Sequence, residues 1–329
     1  MTRVSFGIHM IIITGAAGFI GSQLFRHFAA EMPKNELIAV DHPHSDSIPK
    51  NWGMLAGHIF LDHTTLLSKL ASGELKPSII VHLGACSDTT EPSWEYLLDN
   101  NVRYSQRLWE WCARNEARFI YASSAATYGD GSKGFDDERD ISLLQPLNLY
   151  GKSKHDFDLW AEKQTLRPAQ AVGLKFFNVF GPGEDNKGRM ASMVFHGYHQ
   201  IRKTGTVRLF QSHKNGYGDG GQLRDFVYVK DVVRVIADLM NSPNVSGLFN
   251  LGTGVARSFL DLARSTFSAV GMEPCIEFIP MPEDLRGKYQ YFTQATMDKV
   301  AKAGILPPST TLEDAVLDYV QTWLAKEPV

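Results

Sequence analysis

The run Met10-Ile11-Ile12-Ile13-Thr14 is apolar and β-branched with no polar alternation, as a strand buried on both faces requires. An amphipathic stretch over about 22–30 predicts a helix, and Leu37-Ile38-Ala39-Val40-Asp41 predicts a second strand. The same alternation continues with a strand at 78–83, a helix over 92–115, and a strand from 118 that runs into Ala122-Ser123-Ser124. A polar loop over 130–147 precedes a helix that reaches about 166, then a strand over 171–179. Helices at 190–203, 230–241 and 312–325 and strands at 224–229 and 247–252 fill the second half, with a short extended piece at 276–279. Ser258 is placed to cap a further helix, and 286–293 reads as irregular. Strand–helix alternation of this kind predicts an α/β fold with a doubly wound parallel sheet, the later elements interleaving as a smaller α/β lobe.

Composition leaves that picture intact and narrows the partners. With 43% apolar and 21% charged residues in 329, the chain has the make-up of an ordinary globular protein. A net charge of −3 gives no electrostatic case for nucleic acid or an anionic membrane, and no apolar run approaches a transmembrane length. Cys86, Cys112 and Cys275 have neither metal-ligand spacing nor a paired framework, which fits a reducing, cytoplasmic setting. His196 and His199 lack the acidic companion of a zinc helix, so no metal site is expected.

Three segments carry candidate chemistry. The first strand ends in Gly15-Ala16-Ala17-Gly18-Phe19-Ile20-Gly21 and opens a helix. There Gly15 permits the turn, Gly18 lets backbone approach a pyrophosphate, and Gly21 lets helix and strand pack closely, which makes the predicted sheet Rossmann-type. Asp41 follows about twenty residues later, where a carboxylate bonds the adenosine ribose or simply caps a turn; beyond it lies the single cation Lys50. The small residues Gly84-Ala85-Cys86-Ser87 end another strand, where a flat cofactor can cross the backbone. Tyr150 and Lys154, four apart, share a helix face. The ammonium can stabilise the phenolate and lower its pKa, or both can belong to a solvated surface. Ser124 can bond a substrate hydroxyl or its own turn. Lys187, in a polar glycine-containing loop, reads as a solvated lysine by itself. The segment 215–221 holds four glycines and is expected to be mobile.

Taken together, Gly15-x-x-Gly18-x-x-Gly21, Ser124, Tyr150-x-x-x-Lys154 and the segment Arg224-Asp225-Phe226-Val227-Tyr228-Val229 with Asp231 resemble the extended short-chain dehydrogenase/reductase superfamily. Within it, Gly84-Ala85-Cys86-Ser87, the blocks at 121–129 and 177–182, Lys187-Gly188-x-Met190-Ala191-Ser192, Asn250 to Gly254 and the run from Lys288 to Ala295 are similar to the ADP-L-glycero-D-manno-heptose 6-epimerase family. The resemblance implies an NAD(P)-binding domain over 10–177 plus about 229–255, a substrate lobe over about 178–228 plus 256–329, and residues 1–9 as an extension. It implies epimerisation at C6 of an ADP-heptose through a 6-keto intermediate, with bound NADP (or NAD), in supply of lipopolysaccharide core heptose. Tyr150 and Lys187 would be the two bases, Lys154 would hold the nicotinamide ribose, and Ser124 would bond the reacting oxygen. Cofactor contacts are implied at Gly15, Gly18, Phe19, Ile20, Gly21, Asp41, His42, Lys50, Leu83, Gly84, Ala85, Cys86, Ser87, Asn100, Tyr150, Lys154, Val179 and Lys187. Substrate contacts are implied at Ser124, Asn178, Arg189, His196, Phe210, Gln211, Ser212, His213, Arg224 and Tyr289. A homo-oligomer, a pentamer, is implied as well.

The chain departs from that family at several positions. Arg189 stands where serine is frequent and is expected to add a diphosphate contact or lower the pKa of Lys187. Leu83 replaces a polar residue, His63 falls where a lysine is expected, and the loop between Ser212 and Arg224 is longer. The rival readings are another nucleotide-sugar epimerase of the superfamily and a non-catalytic NADP-sensing protein. The latter is opposed by retention of Ser124, Tyr150 and Lys154 together.

Overall fold

A computed structural model describes residues 10–42, 57–286 and 289–326. Lys50, Lys288 and the extension 1–9 lie outside them. Among the described residues there are twelve strands: β1 (Ile11–Thr14), β2 (Leu37–Asp41), β3 (Ile59–Asp62), β4 (Ile79–His82), β5 (Arg118–Ser124), β6 (Ala171–Phe176), β7 (Asn178–Phe180), β8 (Val207–Phe210), β9 (Leu223–Tyr228), β10 (Gly247–Leu251), β11 (Ala256–Ser258) and β12 (Ile276–Ile279). Seven form one parallel sheet in the order β10-β6-β5-β4-β1-β2-β3.

Successive residues of β1 show why the strands read as unbroken apolar runs. Ile11 and Ile13 face a core shared with helices Phe19–Ala29 and Val229–Met240, whereas Ile12 faces one shared with helix Tyr104–Arg114, and all three are buried. The chain winds from β1 towards β3 on one side and from β4 towards β10 on the other. The crevice beyond β1 and β4 is therefore the topological switch point, where open parallel sheets bind ligands.

The expected strand over 171–179 is two strands in two sheets. After β6 the chain leaves the large sheet at Phe177, whose N–H still bonds Leu251 O at 3.0 Å, and β7 pairs with β9 instead. Antiparallel β11 completes a three-stranded sheet with β7 and β9, and β8 pairs with β12. Helices Met193–Thr204, Phe259–Val270 and Leu312–Thr322 close this smaller lobe over cores around Phe180, Tyr319 and Phe267. Ser258 does cap its helix, in a capping box with Asp261.

Other boundaries differ for local reasons. The helix expected over 92–115 is interrupted by a π-helical segment, Leu98–Arg103, between α-helical pieces. Helix Leu149–Glu162 stops short of 166. Strand β3 and helix His63–Ala71 were not read from the pattern, because β3 is a short, half-exposed edge strand. No helix among the described residues is long and apolar enough to cross a membrane. Nor does any group of three or more His, Cys, Asp or Glu among them form a metal-binding cluster.

Candidate active site

At the switch point the backbones of two strand ends nearly touch. Gly15 has φ +69°, and a Cβ there would lie 2.6 Å from Gly84 N; one at Gly84 would lie 2.8 Å from Gly15 N. A Cβ at Gly21 would meet Gly15 O at 2.0 Å. Gly18 begins helix Phe19–Ala29 with no side-chain cap and no acid in the first turn, leaving its N–H groups and dipole for an anion. A dinucleotide fits this cradle: glycines keep the floor flat, and the helix terminus faces the phosphates. Ile20 and Val179 pack against the cores of both lobes, so the cradle sits on their seam.

Asp41 is turned back to the cradle. Its carboxylate accepts from Ala17 N at 2.7 Å and from His42 N at 2.7 Å. Beside it the rings of His42 and His63 lie 4.3 Å apart.

The loop after β4 is held from the π-helical segment. Asn101, 1% exposed, accepts from Cys86 N at 2.9 Å and donates to Cys86 O at 3.0 Å and to Ser153 Oγ at 2.9 Å. Asn100, the residue expected at the cofactor, donates to Tyr96 O at 2.8 Å within its own helix. One asparagine thus ties loop 83–87 to the helix that carries Tyr150, and the extra residue of a π turn is what aims it. Leu83, Gly84, Ala85 and Cys86 are half-buried in that loop and Ser87 is exposed. Burial pushes the Cys86 thiol up, which disfavours its thiolate.

Helix Leu149–Glu162 is capped by Asn148, which accepts from Gly151 N at 2.7 Å. Gly151 is required by packing, since a Cβ there would lie 2.8 Å from Ala126 O. The helix can therefore press against the turn after Ser124, and Ser124, Tyr150 and Lys154 come together. The Ser124 hydroxyl accepts from Ala126 N at 3.1 Å and is near enough to the Tyr150 phenol to pull its pKa down. Lys154 Nζ donates to Ala122 O at 3.0 Å.

The expected electrostatic coupling is altered. Burial pushes the Tyr150 phenol up, with the Ser124 hydroxyl pulling it partly back, and burial drives Lys154 down to about 8. Lys154 is tethered to a carbonyl and desolvated. The group that favours the Tyr150 phenolate here is Ser124.

Lys187 lies in the 3-10 turn Asp185–Met190, which packs against the cradle helix. Its ammonium sits 5.2 Å from the centre of the Phe19 ring, at the start of the cradle helix. Burial lowers its pKa and Glu184 raises it. Glu184 is fully buried and anchors the turn, accepting from Ser192 N at 2.6 Å, Ser192 Oγ at 2.7 Å and Gly181 N at 3.3 Å. Gly188, φ +52°, turns the chain immediately after the lysine. Arg189 is not among the groups that shift Lys187. It is exposed and reaches back to Asp88 at 3.4 Å and to the Thr90 hydroxyl, bridging two loops at the mouth.

On the smaller lobe Arg224 is buried, and no carboxylate pairs with it among the described residues. It donates to Leu223 O at 2.8 Å and to Gln290 O, and its guanidinium lies 5.0 Å from the Tyr289 ring and 5.8 Å from Phe259. An unneutralised buried cation stacked on aromatics suits a phosphate oxygen. A cavity of about 90 Å³ beside it is lined by Phe210, Tyr289 and Phe259 among others. Gln211 joins the β12 side through Ile279 O at 2.8 Å. Ser212 N bonds Asp219 at 2.7 Å, and the His213 ring bonds the Tyr291 hydroxyl at 3.0 Å, so the long loop is folded on itself. Asn178 is exposed at the start of β7. His196 lies against Phe195 on its helix, and no hydrogen bond joins its ring to another expected site residue among those described. A larger cavity, about 290 Å³, is lined by Tyr121, Asp158, Glu162 and Lys299 and holds none of the expected site residues.

The profile of the NAD dependent epimerase/dehydratase family matches residues 11–252. The chain is similar to the ADP-L-glycero-D-manno-heptose-6-epimerase of Nitratidesulfovibrio vulgaris, 48% identical over 96% of this chain and 98% of that protein. It is similar also to the one from Fusobacterium nucleatum, 46% identical over 97% and 99%. Among solved structures, the Helicobacter pylori ADP-L-glycero-D-manno-heptose-6-epimerase superimposes with a TM-score of 0.80 at 28% identity, covering 98% of this chain and 99% of that one.

Proposed function

The chain belongs to the ADP-L-glycero-D-manno-heptose-6-epimerase family of NAD dependent epimerases/dehydratases, and on that premise we propose how its residues divide the reaction. The enzyme inverts C6 of ADP-D-glycero-D-manno-heptose to give the L-glycero epimer, supplying heptose for lipopolysaccharide core. Bound NADP or NAD supplies a reversible hydride acceptor. The chain's own residues handle the protons.

Oxidation at C6 requires a base for the hydroxyl proton. Tyr150 takes it, with the Ser124 hydroxyl bonding the same oxygen and steadying the phenolate. Lys154 holds the ribose side of the cofactor beside them. The resulting 6-keto group must present its other face before reduction, and its oxygen then needs a proton donor elsewhere. Lys187 is that donor, and in the reverse direction the base. The observation that carries this reading is the position of Lys187. A second ionisable group, half-buried and shifted towards neutrality, is held over Phe19 at the cofactor cradle. A one-way reductase has no use for it.

NADP is the preferred cofactor in this proposal. Asp41 has both oxygens engaged by backbone N–H groups, and the His42 and His63 imidazoles stand next to it. Arg224 holds the diphosphate of the substrate, with Phe210 and Tyr289 walling its pocket. The same reading carries a cytoplasmic, pentameric assembly. Incubation of the protein with ADP-D-glycero-D-manno-heptose is expected to give the L-glycero epimer, followed by NMR at C6, with no net change in cofactor absorbance. Accumulation of reduced cofactor, or an untouched C6, would refute it.

A further inference from the structure

A lysine with no route to solvent and no part in the proton steps lies directly behind them. Lys175, in β6, and Asp158, one helical turn beyond Lys154, form an ion pair at 3.0 Å with both side chains fully buried. Desolvation makes such a pair expensive, so burial alone gives no reason for it, and its connections do. We propose that Lys175 and Asp158 are positioning residues for the epimerisation, a buried yoke that fixes the Ser124 turn and the Tyr150–Lys154 helix relative to one another. The proposal rests on the proton roles assigned above.

Each arm of the yoke ends at the site. Lys175 Nζ donates to Thr127 Oγ1 at 2.6 Å, and Thr127 Oγ1 donates to Ser124 O at 2.8 Å. Asp158 accepts from Ser123 Oγ at 2.6 Å and from Tyr121 OH at 3.2 Å, both on the strand that delivers Ser124. Ser123 stands opposite Lys175 in the sheet register and Ser124 opposite Phe176. A hydroxyl, a carboxylate and an ammonium therefore join β5, β6 and the catalytic helix, and no other ion pair among the described residues is fully buried on both sides.

The yoke also sets charge. Asp158 is the largest influence pulling the Lys154 pKa up against burial, which has brought it to about 8. Lys175 pairs with that carboxylate, which still raises Lys154 with the pair in place, and lies 5.1 Å from the Tyr128 ring. The other titratable groups that feel Asp158 are Tyr121 on β5, Tyr150 and His155 on its own helix, and Tyr128. Glu162 and Arg167, which border the 290 Å³ cavity with Asp158, act on Tyr121.

The test is the double variant K175M/D158N, which leaves no unpaired buried charge and keeps one acceptor oxygen, with an amide N–H that the other hydroxyl can accept from. Its kcat is expected to fall about 10- to 100-fold with KM and cofactor affinity within about threefold, as for loosened geometry at intact binding. Loss of the Asp158 charge removes an influence that keeps the proton on Lys154. The alkaline limb of kcat therefore moves to lower pH, and so does the Lys154 titration followed by NMR of carbon-13-labelled lysine in the cofactor-free protein. A fall in kcat with neither titration displaced means a merely structural pair and overturns the proposal, as does unchanged turnover. If that protein does not fold, Thr127→Val decides. It cuts only the link to Ser124, and kcat about 3- to 10-fold lower at unchanged KM is expected, whereas wild-type kcat overturns the yoke. Failure of the wild-type enzyme to invert C6 would sink the assigned reaction separately, while the Lys154 titration still judges the yoke.

Discussion

The two sides of the site to which the proposal assigns proton transfer are built to opposite plans. Tyr150 sits in the first turn of a capped helix, against a turn that only Gly151 lets it approach, and its neighbours are braced by a buried ion pair. Lys187 rides on a six-residue 3-10 turn that bends at Gly188 and hangs on one buried carboxylate, Glu184. The phenol is pushed towards its neutral acid form and the amine towards its neutral base form, by burial in each case. A site that must serve a carbonyl in two presentations gains from one fixed group and one with latitude. Secondary structure supplies the first and a tethered loop the second.

That contrast can be broken most forcefully at Tyr150. Tyr150→Phe removes one hydroxyl from a rigid frame, so kcat is expected to fall on the order of 10³-fold with cofactor affinity unchanged, measured by NMR turnover and fluorescence titration. Lost cofactor binding would make the residue chiefly a support. Lys187→Ala comes next, with kcat about 10²-fold lower and cofactor affinity again retained. Undiminished inversion in this variant would reduce the two plans to one catalytic side. Glu184→Gln should give the smallest effect, about tenfold in kcat through a weakened charge-assisted anchor, with Tm nearly unchanged. A large fall in Tm instead would show that the Lys187 wall is as integral to the fold as the Tyr150 side.

The chain disclosed these features unequally. Tyr150 and Lys154 were legible because a helix places residues four apart on one face, Ser124 because it ends a strand, and the glycine turn because its context is local. Lys187 was visible only through family resemblance, since in isolation a lysine in a polar loop is a solvated lysine. Asn101 and the Lys175–Asp158 pair were opaque for a different reason: their meaning lies in partners on other elements, such as Asn101 with Ser153, 52 residues on; Glu184, bonded only to its own loop, reads as an ordinary solvated acid until its burial is known. Lys175 reads simply as a polar interruption of a strand. The expected depression of the Tyr150 pKa by Lys154 failed because spacing reveals proximity but not desolvation. The bridge from Arg189 to Asp88 and Thr90 was out of reach because those partners come from a loop about a hundred residues earlier.

The π-helical segment Leu98–Arg103 has a consequence for how this chain can vary. A π turn holds one more residue than an α turn across the same length. The count of residues there is therefore part of the site, independent of their identity. Removing any one residue from the segment would restore an unbroken α-helix and swing the side chains on one side of it by about 100° relative to the other. Asn101 would then lose either Cys86 or its place in the helix. Substitutions within 98–103 are graded changes, but a deletion acts as a switch. Descendants of this sequence are free to vary there in letter, but not in length.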